Sequence, residues 1–110
     1  MKSIKIYGAS DDLVEIEGDC KGCDEYGAVG SGPLMGVITL KSGDDSIKVF
    51  CVYDGSWAFA VCPQSGDYER MPWETSFAFG VDVGYSQTID MLVPDDCEVS
   101  FSPQIKGGTK

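Results

Sequence analysis

The chain has 110 residues, of which 43% are hydrophobic and 11% aromatic, a composition typical of one folded domain with a modest core. Eighteen acidic residues face eight basic ones, there is no histidine, and the formal net charge is −10. Such a negative surface works against direct binding to nucleic acid or to an anionic membrane, since both need clustered lysine and arginine. The absence of histidine also excludes the usual Ser–His and Cys–His nucleophile systems.

Targeting signals and cysteine content point to the compartment. No apolar segment of the kind that directs secretion follows the first methionine, and no later run is long enough to span a bilayer. We therefore expect a cytoplasmic protein. Five cysteines, an odd number, in such a chain predict reduced thiols rather than a disulfide framework. One domain is expected over residues 1–110, with a frayed tail at 105–110.

The first half of the chain predicts two hairpins. The segments SIKIYG (3–8) and LVEIEG (13–18) alternate apolar and polar residues, which is typical of strands with one face toward a core. The turn residues ASDD between them complete a first hairpin. Glu15 and Glu17 then face solvent from the second strand. Further along, LMGVITL (34–40) leads through the turn residues SGDD into another strand, SIKVFCVY.

The segment VFCVYDGSWAFAV carries the clearest local signal. An Asp-Gly pair between two apolar runs predicts a hairpin with a two-residue turn. In that register Phe50 faces Phe59 across the hairpin, and Val52 faces Trp57. These four side chains and Val61 are expected to be mostly buried. Both faces of the hairpin are largely apolar, so we expect it to lie centrally in the sheet.

The last third of the chain predicts one more hairpin, in which TIDMLV (88–93) and CEVSF (97–101) flank the turn residues PDD. The pattern over residues 69–84 leaves a strand and a short helix both open. No segment has a sustained helical period, and fourteen glycines disfavour long helices. The predicted class is mainly β, a single antiparallel sheet or half-barrel of about six to eight short strands with little or no helix.

The motif CKGC (20–23) has the spacing of half a zinc site. Four-coordinate zinc needs a second ligand pair, and the sequence offers neither another Cys-x-x-Cys nor a histidine. The strand–helix context of thioredoxin-like redox sites is also missing. No calcium-loop spacing and no enzyme motif is present. We therefore expect two thiols in a glycine-rich loop, no metal, no cofactor and no enzymatic activity, so no catalytic residue is assigned.

Acidic side chains concentrate in the first third of the chain, and two interpretations are open. The first is that they serve only solubility. The second is that they form a contact surface that imitates DNA phosphates. Carboxylates on one face of a strand lie about 6.6 to 7 Å apart. Phosphates two steps apart on a DNA strand have a similar spacing of about 7 Å. A surface of this kind can occupy a basic groove that normally holds DNA. The candidate partner-binding residues are Asp11, Asp12, Glu15, Glu17, Asp19, Asp24 and Glu25.

Three stretches resemble a family of small acidic phage and prophage proteins: GASDDLVEIEGD, VYDGSWAF and YSQTIDMLVPDDCEVSF. The resemblance covers residues 4–19, 47–61 and 85–101, and the CKGC loop departs from it. Some small phage proteins of this kind are anti-CRISPRs that act on type I surveillance complexes, and acidic anti-CRISPRs often mimic DNA. The resemblance thus implies an inhibitor that is active in the cytoplasm of a bacterial host. It would bind a subunit of the surveillance complex at the basic DNA-binding groove of that subunit.

The resemblance transfers roles only to matching positions. Asp11, Asp12, Glu15 and Glu17 lie in the motif GASDDLxExEG and are candidate contacts, whereas the motif's glycines are expected to set backbone geometry at strand ends. Trp57 is expected to pack in the core. The partner is expected to be protein, met by a monomer of this chain. The alternative is an acidic phage or prophage accessory protein with no defence-related target.

Overall fold

The structure, a computed structural model, describes residues 2–23, 25–30, 33–63, 85–86 and 88–103. Within these ranges the regular structure is strand, and seven of the strands have six or more residues. The strands are β1 (Lys2–Ser10), β2 (Leu13–Gly18), β3 (Glu25–Gly27), β4 (Leu34–Ser42), β5 (Asp45–Tyr53), β6 (Trp57–Pro63), β7 (Tyr85–Ser86), β8 (Thr88–Val93) and β9 (Glu98–Pro103).

The strands form two antiparallel sheets, in the orders β3-β2-β1-β8 and β7-β6-β5-β4-β9. The mainly β, antiparallel class is confirmed, as is the number of longer strands. The arrangement differs from the predicted single sheet or half-barrel, because β8 pairs with β1 whereas β9 pairs with β4. Apolar side chains from both sheets make one continuous core. No described residue belongs to a helix that could cross a membrane.

The first hairpin is confirmed. β1 and β2 pair with Ile6 opposite Ile16 and Tyr7 opposite Glu15, and a bulge follows Gly8. Ile6 and Ile16 are buried in the core, which leaves Tyr7 and Glu15 on the outer face. The alternation visible in the sequence therefore sets the two faces of this sheet.

The central hairpin is present, but its predicted register is wrong. Tyr53 pairs with Trp57, so the loop has three residues, 54–56, rather than two. The Asp54 N–H donates to the Ser56 carbonyl oxygen at 3.1 Å. A shift of one residue moves side chains to the opposite face of a strand. Consequently Phe50 and Val52 are only half-buried.

Other expectations for this hairpin hold. Trp57, Phe59 and Val61 are buried as predicted. β5 is the middle strand of its sheet and also forms a hairpin with β4, with Ser42 opposite Asp45.

The predicted last hairpin is wrong. β8 continues the first sheet through its pairing with β1, and β9 lies at the edge of the second sheet beside β4. The segment between them turns where the Cys97 N–H donates to the Pro94 carbonyl oxygen at 3.0 Å. The turn residues PDD thus carry the chain from one sheet to the other. The open assignment over 69–84 and the tail at 105–110 lie outside the described residues.

The cysteine prediction is wrong for one pair. Cys20 and Cys23 form a disulfide, with their Cα atoms 5.7 Å apart, a normal separation for this bond. A turn closes the pair, since the Cys23 N–H donates to the Cys20 carbonyl oxygen at 3.2 Å. The Lys21 carbonyl oxygen accepts from the Val99 N–H at 2.8 Å, which attaches this loop to β9. Cys51 and Cys97 are buried free thiols.

Candidate protein-binding surface

The outer face of the β3-β2-β1-β8 sheet carries charged and hydroxyl side chains in cross-strand rows. In one row, Tyr7 of β1 lies between Glu15 of β2 and Thr88 of β8. In the next row, Lys5 lies between Glu17 and Asp90. The face is therefore negative on balance but has a positive charge in its middle.

A tyrosine hydroxyl joins two of the predicted acidic residues. The Tyr7 hydroxyl shares its one proton between a carboxylate oxygen of Glu15 and one of Glu17. Hydrogen bonding of the neutral phenol to Glu15 and to Glu17 raises the pKa of Tyr7 above its ordinary value, because ionisation would remove the shared proton and place a third negative charge beside the two carboxylates. The Lys5 Nζ lies 5.5 Å from the centre of the Tyr7 ring, within the range of a cation–π contact.

Because Glu15 and Glu17 contact the same hydroxyl, their carboxylates lie closer together than strand geometry alone predicts. Side chains two residues apart on a strand start about 7 Å apart. Both carboxylates bend toward Tyr7, so their nearest oxygens approach each other more closely. Glu15 and Glu17 therefore form one compact doubly negative group rather than two steps of a phosphate-like ladder.

The remaining predicted residues flank this pair. Asp11 and Asp12 lie exposed in the turn between β1 and β2, where the Ser10 Oγ donates to Asp12 Oδ1 at 2.9 Å. Asp19 is exposed just beyond the other end of β2. The backbone of Glu25 in β3 pairs with that of Glu15. Asp24 and the side chain of Glu25 lie outside the described part of the structure.

Tyr7, Lys5 and Asp90 belong to this surface, and sequence analysis did not select them. The alternation in SIKIYG does place Lys5 and Tyr7 on the outer face, which is the one signal available before the structure. Their contacts with the acidic residues depend on the pairing of β1 with β2 and β8, and strand alternation alone carries no information about that register.

An open groove of about 510 Å³ adjoins the acidic residues and shares Tyr7 with them. Tyr53 and Trp57 contribute its other aromatic rings, which meet edge to face with centroids 5.1 Å apart. Its remaining lining comes from Lys5, Gly8, Ala9, Ser10, Asp11, Gly55, Ser56 and Thr88.

The groove lies where the two sheets meet. The Trp57 indole N–H of the second sheet donates to the Ser10 carbonyl oxygen of the first. The indole ring also rests directly on Gly8, where an added Cβ would overlap the ring atoms. The glycine of the motif therefore permits a close approach between the sheets, which differs from the role at a strand end expected from the sequence.

The described residues contain no group of three or more cysteine, aspartate or glutamate side chains placed to hold a metal ion. The Cys20–Cys23 disulfide uses both sulfurs that the CKGC motif could have offered to zinc. Comparison of the chain with protein-family models, with curated proteins and with solved structures gave no match.

Proposed function

We propose that this protein inhibits a bacterial type I CRISPR surveillance complex by docking an acidic face onto its basic DNA-binding surface. The acidic face consists of Asp11, Asp12, Glu15, Glu17 and Asp19. The observation that carries the proposal is the pairing of Glu15 and Glu17 on the outer side of β2, where one hydroxyl holds both carboxylates. The kind of target comes from the sequence resemblance alone.

The geometry supports a contact role in two ways. Tyr7 restrains two glutamate side chains that would otherwise rotate freely, so less conformational entropy is lost when a partner orders them. The two negative charges also repel each other at short range, and a lysine or arginine from a partner relieves that repulsion. The net charge of −10 adds long-range attraction toward a basic surface and speeds encounter.

The mode of mimicry follows from the same geometry. Two carboxylates gathered at one hydroxyl resemble a single multiply charged phosphate group more than a run of separate phosphates. The acidic face is thus suited to capture one or two basic side chains of the groove rather than to trace the DNA backbone along its whole length. Occupying those side chains lowers the affinity of the groove for DNA, because phosphate contacts supply much of that affinity.

The accessory-protein alternative has one observation in its favour. Lys5 lies on the same outer face between Glu17 and Asp90, so charges of both signs are interspersed there, as on an ordinary solvated sheet. On that alternative the acidic residues serve solubility and no defence complex is bound.

Reversal of the paired charges separates these possibilities. Glu15→Lys/Glu17→Lys is compared with Asp44→Lys/Asp45→Lys, which makes the same change in net charge where β5 of the other sheet begins, at two exposed residues. DNA binding by a purified type I complex is measured with each protein added. We expect the control to inhibit like the wild type and the Glu15/Glu17 variant to lose inhibition. If the Glu15/Glu17 variant inhibits as strongly as the wild type and the control, the acidic face is not the contact surface. If the wild type does not bind the type I complex, the accessory role is favoured.

A further inference from the structure

The groove beside the acidic face has no assigned role, and its lining points to a cationic ligand. We propose that it receives an arginine side chain of the partner protein, which deepens the proposed function and rests on it. The groove is formed by the aromatic rings of Tyr7, Tyr53 and Trp57, with Asp11 in its wall.

The size and the aromatic lining suit one long side chain. A volume of about 510 Å³ is within the usual range for small-ligand sites but too small for a folded element. Tyr7 and Tyr53 are half-buried, so part of each ring remains accessible, whereas Trp57 is 8% exposed and serves mainly as a floor. Aromatic rings of this kind attract cations through their electron-rich faces and also cover aliphatic carbons.

The charges around the groove select a cation. Asp11 lines it, and Asp54 stands between two lining residues, Tyr53 and Gly55. Glu15 and Glu17 hydrogen-bond to the lining residue Tyr7. The lining has a single basic side chain, Lys5, which its strand neighbours Glu17 and Asp90 offset. The local potential is therefore negative, so an anionic ligand is disfavoured.

Arginine fits better than lysine because of its shape. A guanidinium group is planar, stacks on aromatic rings and donates hydrogen bonds in two directions at once. One edge can lie toward the Asp11 carboxylate while the flat face covers a tyrosine ring. The ammonium group of lysine is a compact, strongly hydrated charge without a face to stack. Arginine, tyrosine and tryptophan are also the residues that most often dominate protein interfaces.

Nuclear magnetic resonance titration tests the proposal with small probes. The wild-type protein is titrated with N-acetyl-arginine amide and, in parallel, with N-acetyl-citrulline amide, which has nearly the same shape without the charge. We expect arginine to shift the backbone amides of residues 7–11 and 53–57, and citrulline to bind about two- to fivefold more weakly, which is the contribution of one exposed cation–π contact.

Two variants and a control locate the binding. Asp11→Asn and Tyr53→Leu should each weaken arginine binding, whereas Asp45→Asn, a change of the same kind at the exposed first residue of β5, should leave it unchanged. Equal binding of arginine and citrulline would overturn the proposal, as would shifts confined to residues outside the groove. Glucose is titrated as well, and shifts of the same amides by glucose with none by arginine would assign the groove to a sugar instead.

The groove and the proposed function can fail separately. If arginine binds in the groove while the wild type binds no surveillance complex, the cation site stands and the target is wrong. If the Glu15→Lys/Glu17→Lys variant loses inhibition but arginine shifts no groove amide, the acidic face stands and the groove proposal is overturned.

Discussion

The contact between Gly8 and Trp57 allows a sharp test of how the two sheets meet. A Cβ atom built on Gly8 overlaps the indole atoms Cδ1, Cγ and Nε1 of Trp57. The indole cannot retreat freely, because its N–H donates to the Ser10 carbonyl oxygen and its ring stacks on Phe59 with centroids 5.8 Å apart. Gly8→Ala therefore forces the ring and the strand apart.

The expected cost comes from overpacking. Adding a methyl group to a closely packed contact costs about 1 to 3 kcal/mol, and the lost indole hydrogen bond adds about 1 kcal/mol. We expect Gly8→Ala to lower the free energy of unfolding by about 2 to 4 kcal/mol, measured by urea denaturation followed by circular dichroism. Gly27→Ala is the control, since a Cβ there meets no atom within 4 Å.

A double-mutant cycle identifies the cause. In a Trp57→Leu background the indole is gone, so Gly8→Ala should cost less than about 1 kcal/mol there. Trp57→Leu by itself is destabilising, and the cycle needs only the difference between the two backgrounds. An equal cost of Gly8→Ala with and without the indole would refute the packing explanation, and so would a Gly8→Ala protein as stable as the wild type.

Three further predictions concern the disulfide, the free thiols and the tyrosine of the acidic face. Reduction of the Cys20–Cys23 bond should lower the free energy of unfolding by about 2 kcal/mol, because a short-loop constraint is lost. Urea denaturation with and without reductant measures this change, and the stability of a Cys20→Ser/Cys23→Ser protein should not depend on reductant. Burial raises the pKa of Cys51 to about 12 and also raises that of Cys97, so neither thiol should be alkylated near neutral pH in the folded protein, and peptide mapping that finds either one modified would contradict this. Because its folded pKa is raised, Tyr7 stabilises the fold below its unfolded pKa of about 10, and this contribution is lost as pH rises through the folded pKa. The ultraviolet titrations of the wild type and Tyr7→Phe should therefore coincide up to about pH 10 and differ only above it.

Which side chains of a strand face the core and which face solvent could be predicted from the sequence, because this depends only on alternation along neighbouring residues. Alternation in β1 and β2 placed Ile6 and Ile16 in the core and Glu15 and Glu17 outside, and the structure agrees. Which strands pair with each other was harder to predict from the sequence. The residues PDD are compatible with a hairpin and with a crossing between sheets, and the outcome depends on which strand edges are free to pair, namely those of β1 and β4.

The register of the central hairpin and the contacts of the candidate surface could not be predicted from the sequence, for a related reason. Asp-Gly favours a two-residue turn, but here Ser56 joins the loop and the register moves by one residue, which places Phe50 and Val52 on the other face. Tyr7 was visible as an outward residue, but its contact with Glu15 and Glu17 exists only because β1 and β2 pair in one register. Local sequence determines which way a side chain points, and distant pairing determines what it meets.

Tyr7 belongs to the acidic face and to the groove at once, so the contacts proposed for the two surfaces should act together on the proposed partner. Its hydroxyl holds Glu15 and Glu17, and its ring lines the groove with Tyr53. Exposed carboxylates at a rim mainly set the rate of association and its salt dependence, whereas a side chain seated among aromatic rings mainly sets the rate of dissociation. Changes at Asp12 should therefore slow binding at low salt, and changes at Tyr53 should speed release at any salt concentration. In the proposed complex, a partner held by both surfaces needs basic side chains that are spaced to match, so the geometry around Tyr7 would set the selectivity over other basic surfaces.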